Sequence, residues 1–272
     1  MLRTSIRTAC LVAAYCAATI TWGQPAKAEV VGREIKYATD ALSMQGYFAY
    51  DDALEGKLPG VIIVHEWWGH TDYVRQRARL LAKEGYAAFA IDMYGNGKTA
   101  DHPKDAGSFA GAVTSNMDTA AERFQAALKV LKEQPQTDAK QIAAIGYCFG
   151  GGIVLEMARR GLALDGVASF HGSLKPVTKA EAGTTKAHVL VLHGAADAMV
   201  PPADVEALRT ELQQAKVDFD IVEYPGVGHS FTNPAADEYA KKFELPVGYD
   251  KQADENSWER LLEFLEQIFA ER

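Results

Sequence analysis

The stretch Ile145-Gly146-Tyr147-Cys148-Phe149-Gly150-Gly151-Gly152 lies between a short apolar run, Ile142 to Ile145, and a helical pattern from Gly150 to Arg160. Glycines two before and two after Cys148 allow a strand-to-helix turn so tight that the cysteine side chain stands above the sheet, with the start of the helix aimed at it. A helix N-terminus stabilises negative charge, so thiolate is favoured over thiol at that place. The plain alternative is a structural cysteine buried beside a glycine-rich packing contact.

On either side of this turn, strand and helix patterns alternate. Short apolar or β-branched runs predict strands at Val61–Val64, Tyr86–Ile91, Gly166–Phe170, His188–Leu192 and Phe219–Tyr224. Apolar residues at helical spacing predict helices over Tyr73–Glu84, Met117–Lys132, Ala203–Gln214 and Trp258–Phe269. Glu34–Tyr37 and Gln45–Tyr50 read as an N-terminal β-hairpin. The expected class is α/β, a mainly parallel central sheet with helices on both faces and a ligand site at the carboxyl ends of the strands. The stretches from Asn96 to Ser115 and from Pro234 to Asp254 read as loops or short helices bordering that site. No repeat or linker divides the chain, so residues 29–272 are expected to form one domain.

A nucleophile on such a turn needs a base, and the base needs an orienting acid. His193-Gly194-Ala195-Ala196-Asp197 follows one predicted strand, and Pro225-Gly226-Val227-Gly228-His229 follows the last one. Asp197 and His229 therefore come after Cys148 in the order nucleophile, acid, histidine, each in a loop at a strand end. His229 would take the thiol proton and later protonate the leaving group, while the Asp197 carboxylate fixes its tautomer. Singly, Asp197 reads as a helix cap and His229 as a solvated loop residue; the ordered triple is far more specific. A metal site is the rival prompted by His65-Glu66-Trp67-Trp68-Gly69-His70, but its two histidines are five apart across a glycine, not four apart on one helical face. His65, His171 and His193 read instead as polar residues at strand ends. No metal is expected, and the absence of a dinucleotide or phosphate-loop glycine pattern implies no cofactor.

Gly146-Tyr147-Cys148-Phe149-Gly150-Gly151, together with His65-Glu66-Trp67-Trp68-Gly69, resembles the dienelactone hydrolase family of the α/β-hydrolase superfamily, and the likeness covers nearly all of the chain after residue 28. The resemblance implies a Cys148–His229–Asp197 triad and an ester-cleaving activity through an acyl-enzyme. It further implies that Glu66 contacts the cysteine and controls its ionisation, and that the backbone N–H groups of Phe149 and Trp67 form the oxyanion hole. Members that act on dienelactone hold its carboxylate with two arginines. The matching windows hold none: Asp92 to Lys104 has only Lys98 and Lys104, and Ser230 to Tyr239 has no basic residue. Lysine does not reproduce the bidentate fork of arginine, so the expected substrate is a different ester, lactone or thioester. Trp68, Tyr94 and Phe231, beside Trp67, are candidates to line a more apolar pocket. A non-catalytic small-molecule binding protein on the same scaffold is the alternative function.

Residues 1–28 combine Arg3 and Arg7, an apolar run from Ala9 to Ile20 and Ala26-Lys27-Ala28, the layout of a secretory signal cleaved after Ala28. Export to the periplasm or medium is therefore expected. Cleavage removes three cations and no acid, taking the net charge from −8 to −11 and leaving Cys148 as the only cysteine. Such acidity argues against nucleic acid or an anionic membrane surface as partner. A monomer or small homo-oligomer acting on a small molecule is the expected state.

Overall fold

A computed structural model describes residues 30–270; the predicted signal, residues 1–28, lies outside them. The chain runs β1(Val30–Ala38), β2(Ser43–Asp51), β3(Leu58–Val64), α1(Asp72–Lys83), β4(Ala87–Ile91), α2(Pro103–Thr114), α3(Met117–Lys132), β5(Thr137–Tyr147), α4(Phe149–Arg159), β6(Gly166–Phe170), β7(His188–Gly194), α5(Pro202–Gln214), β8(Phe219–Tyr224), α6(Ala236–Phe243) and α7(Lys251–Ala270). The strands form one sheet in the order β1-β2-β4-β3-β5-β6-β7-β8. The β1–β2 hairpin is antiparallel and joins β4 antiparallel; from β4 through β8 every pairing is parallel.

Alternation along the central strands explains the two-sided core. Ile62 and Val64 of β3 face the layer of α3, α4 and α5, whereas Val61 and Ile63 face α1 and α7. A strand buried on both faces carries an unbroken apolar run, which is why Val61–Val64 is visible in sequence. Helix α1 turns Val74, Ala78, Leu81 and Ala82 inward, and α3 turns Phe124, Ala127, Leu128 and Leu131 inward.

The structure departs from sequence expectation where side chains are small or polar. Strand β5 begins at Thr137, five residues before its apolar run, because Thr137 and Asp138 pair with Leu58 and Pro59 before a register shift. The Asn96–Ser115 stretch holds a full three-turn helix, α2. It is started by Pro103 and by His102, whose ring accepts the Lys104 N–H, and it buries only Ala106 and Val113, too few apolar residues to show a period. Helix α7 begins seven residues before Trp258, its first turn held by the Asp250 carboxylate accepting the Ala253 N–H at 2.9 Å.

Candidate active site

Strand β5 ends at Tyr147 and α4 starts at Phe149, so Cys148 alone makes the corner. Its φ of 53° and ψ of −114° lie where a residue with a Cβ is strained by about 1–3 kcal/mol. The corner is held by the Cys148 N–H, which donates to Phe170 O at 3.0 Å, and by the approach of α4 to the end of β3. A Cβ on Gly150 would come within 2.7 Å of the His65 carbonyl oxygen and would overlap that of Val64. The glycine after the corner is thus required by backbone proximity. The thiol itself is partly exposed.

Asp197 and His229 are brought together by adjacent parallel strands, since β7 and β8 end side by side at Gly194 and Tyr224. Gly194 lets the two following loops touch: a Cβ there would lie 2.5 Å and 2.6 Å from the Val227 and Gly228 carbonyl oxygens. One Asp197 oxygen accepts the Met199 and Val200 N–H groups at 2.8 and 3.3 Å, which leaves the other to accept His229 Nδ1–H at 2.7 Å. Both side chains are buried. With Nδ1 committed to a carboxylate, Nε2 is the atom free for chemistry. Among the described residues it has no partner of regular hydrogen-bond geometry, and Cys148 lies near enough to act on the ring. Burial alone would lower the imidazole's proton affinity. Negative charge on Cys148, then the bond to Asp197, outweigh that and push it up to about 10.

Glu66 is buried, but its carboxylate is engaged by the histidine loop: Ser230 Oγ donates at 3.3 Å and Asn233 Nδ2 at 2.6 Å. Burial raises its pKa, against the opposing pull of Asn233, His229, Ser230 and Arg77. Among the described residues neither the Trp67 N–H nor the Phe149 N–H has a hydrogen-bond partner; Phe149 opens α4, whose first N–H groups have no acceptor in their own helix. Tyr94 is buried, its ring packed on His65 and Phe149. Trp68 lies against Tyr239 and Phe243 of α6 in a small apolar cluster apart from the two main ones. Phe231 is fully enclosed between His171 and Tyr224, so it belongs to the core and not to a substrate surface.

Residues 44–269 match the dienelactone hydrolase family. The chain belongs to that family. It is 28% identical over 242 residues to protein usf of Aquifex pyrophilus, covering 87% of this chain and 99% of that one. It is 28% identical over 233 residues to a Salmonella typhimurium protein named as a candidate carboxymethylenebutenolidase, covering 82% and 83%. A solved dienelactone hydrolase-like promiscuous phosphotriesterase from metagenomic libraries superposes with a TM-score of 0.83 at 33% identity, covering 89% of this chain and 99% of that one. This dienelactone hydrolase-family chain is therefore a hydrolase with the α/β-hydrolase fold.

Around the triad of this family member stands a second set of residues that no sequence motif announces. Thr232 Oγ1 is hydrogen-bonded to Tyr73 Oη at 2.6 Å and shares a 2.7 Å bond with His171 Nε2, while Arg77 donates to the Thr232 carbonyl at 2.5 Å and to Asp254 at 2.6 Å. His171 lies 5.2 Å from the His229 ring. Burial first, then the neighbouring His229 and Arg77, hold its pKa well below the ordinary value. Proximity to His229 in sequence was the only available signal for Ser230, Thr232 and Asn233; His171 was legible as a polar residue at a strand end, and Arg77 gave no signal. His65 and His70 are taken up separately: His65 Nδ1–H donates to Glu66 O at 2.6 Å and His70 Nε2 meets Ala90 O at 3.0 Å. Two broad depressions, of about 690 and 770 Å³, lie away from Cys148, one at the amino ends of β5 to β7 and one between Pro176–Ala182 and α5.

Proposed function

We propose that this protein cleaves an ester, lactone or thioester bond through an acyl-enzyme on Cys148. The observation that carries the reading is the 2.7 Å Asp197–His229 bond, which leaves Nε2 free for chemistry beside a cysteine standing on a strained strand-to-helix corner. Cys148 sulfur attacks the carbonyl carbon and the carbonyl electrons move to oxygen, where the Phe149 and Trp67 N–H groups receive them. Collapse breaks the bond to the leaving group, which takes the proton from His229 Nε2. Water then gives a proton to His229 and attacks the acyl carbon, and a second collapse returns the sulfur and releases the acid.

The substrate is read from chemistry and from charge. A thiol of pKa about 8.5 leaves more readily than an alcohol, so activated esters, enol lactones and thioesters suit a cysteine better than alkyl esters. Lys98, one of the two lysines in the first arginine-free window, has its ammonium 4.7 Å from the Phe109 ring centre. Arg77 comes near Glu66, but its guanidinium is committed to Thr232, Tyr73 and Asp254. A substrate without a carboxylate anchor fits these surroundings. We also infer export, from the residue pattern of positions 1–28.

The test is turnover of an aryl acetate, a dienelactone, an acyl thioester and a neutral aryl phosphotriester, each beside Cys148→Ala. Loss of turnover in the variant is expected, with aryl acetate or thioester preferred to dienelactone. A Cys148→Ala rate near wild type would sink the nucleophile assignment; no turnover together with an inert thiol favours the binding-protein alternative.

A further inference from the structure

The Glu66–Gly69 turn carries the Trp67 N–H, and its shape is set by few bonds. Gly69 N–H donates back to Glu66 O at 3.1 Å, and the Trp68 carbonyl accepts the Ala100 N–H at 2.9 Å. Two more bonds come from side chains: His65 Nδ1–H donates to the Glu66 carbonyl at 2.6 Å, and Tyr94 Oη donates to the Trp67 carbonyl at 2.9 Å. Tyr94 is in turn fixed from behind. Asp92 sits at the end of β4 and its carboxylate accepts the N–H groups of Tyr94, Gly95 and Gly97 at 3.0, 2.7 and 2.8 Å, and that of Gln45 at 3.2 Å. The tyrosine ring is wedged between His65 and Phe109, with centroids at 4.7 and 5.7 Å. Burial, and after it the negative charge on Cys148, raises the phenol's pKa far above the working range, so the hydroxyl stays a donor and is no base.

We propose that Tyr94 is a positioning residue of the oxyanion hole: the bond from its hydroxyl to the Trp67 carbonyl holds the 66–69 turn so that the Trp67 N–H faces the oxygen of the carbonyl attacked by Cys148. This rests on the cysteine-hydrolase reading above. A donor on a free loop would have to be ordered at the moment of reaction, whereas one held in advance stabilises the developing charge without reorganisation. Tyr94, expected from sequence to line the substrate pocket, therefore acts through backbone geometry.

Tyr94→Phe in the full chain keeps the ring and its packing and removes only the bond. The expected result with aryl acetate is a kcat about five- to tenfold lower, the scale of one lost neutral hydrogen bond, with KM within about twofold and the melting temperature lowered by no more than about 4 °C. Two further readings separate positioning from a merely structural role. Affinity for an aryl trifluoromethyl ketone, which adds the Cys148 sulfur at carbon and leaves an oxyanion, should fall by the same factor as kcat. Alkylation of Cys148 by iodoacetamide, which displaces iodide and forms no oxyanion, should keep its rate. Unchanged kcat and ketone affinity, or an alkylation rate that falls with kcat, overturns the inference while leaving the nucleophile in place. A wild-type protein whose Cys148 neither alkylates nor supports turnover overturns the cysteine reading itself, and this inference with it.

Discussion

Replacing Cys148 by alanine is expected to return His229 toward an ordinary imidazole. An upward move from 6.5 to about 10 is the net of four raising influences and one lowering one, and two of the four, including the largest, belong to Cys148. In the alanine variant only the Asp197 bond and charge remain to oppose burial. The pKa therefore falls, each unit of the fall being about 1.4 kcal/mol of lost interaction with the protonated ring. The sign is specific: removing a negative neighbour makes the proton easier to lose, so the ring becomes neutral at lower pH than in the wild type. Nitrogen-15 and proton shifts of the His229 imidazole, followed from pH 5 to 11, read this directly. The wild-type ring should titrate at about pH 10, and the variant ring should lose its proton at clearly lower pH. The Nδ1–H resonance should persist in both, because the Asp197 bond does not depend on sulfur. A variant that titrates where the wild type does would refute the argument, since the sulfur would then contribute nothing to holding the proton.

Gly150→Ala forces a Cβ onto the Val64 and His65 carbonyl oxygens, backbone atoms that cannot rotate away; a loss of about 2–3 kcal/mol in denaturant unfolding and at least a tenfold fall in kcat are expected, and wild-type stability would contradict the close approach. Asn233→Ala removes the 2.6 Å donor to buried Glu66, at about 2 kcal/mol for a bond to a charged group. Glu66 already has a raised pKa. The raised carboxyl favours folding while protonated, and that advantage is lost as pH rises through its folded value. Since Asn233 is the chief influence lowering it, the variant's deficit should be larger at pH 8 than at pH 4.5. Melting temperatures of both proteins across that range test this, and a pH-independent difference would show that Asn233 does not act through the Glu66 charge.

What could be read from sequence divides along a physical line. Gly146, Cys148 and Gly150 are legible because a sharp corner imposes residue types at fixed short spacings, and Asp197 and His229 because each ends an apolar strand in chain order. Strands buried on both faces declare themselves by unbroken apolar runs; α2, which buries only Ala106 and Val113, shows no such pattern. The surroundings of the triad follow neither rule. Phe231 looks like a pocket residue beside His229, yet the left-handed backbone at Ser230, φ 60°, precedes a turn that buries it against Tyr224. Glu66, two residues past the end of β3, is matched to its partners Ser230 and Asn233 only when the first and last thirds of the chain fold together. The same holds for Tyr94 and Trp67, joined by a side-chain-to-backbone bond across 27 residues. Local geometry thus encodes which side chain stands on the corner and which acid and histidine meet, while tertiary contact decides how the groups around them are held. A search for the natural substrate is therefore better guided by the contacts among the 66–69 turn, the 92–97 loop and α6 than by the triad motifs.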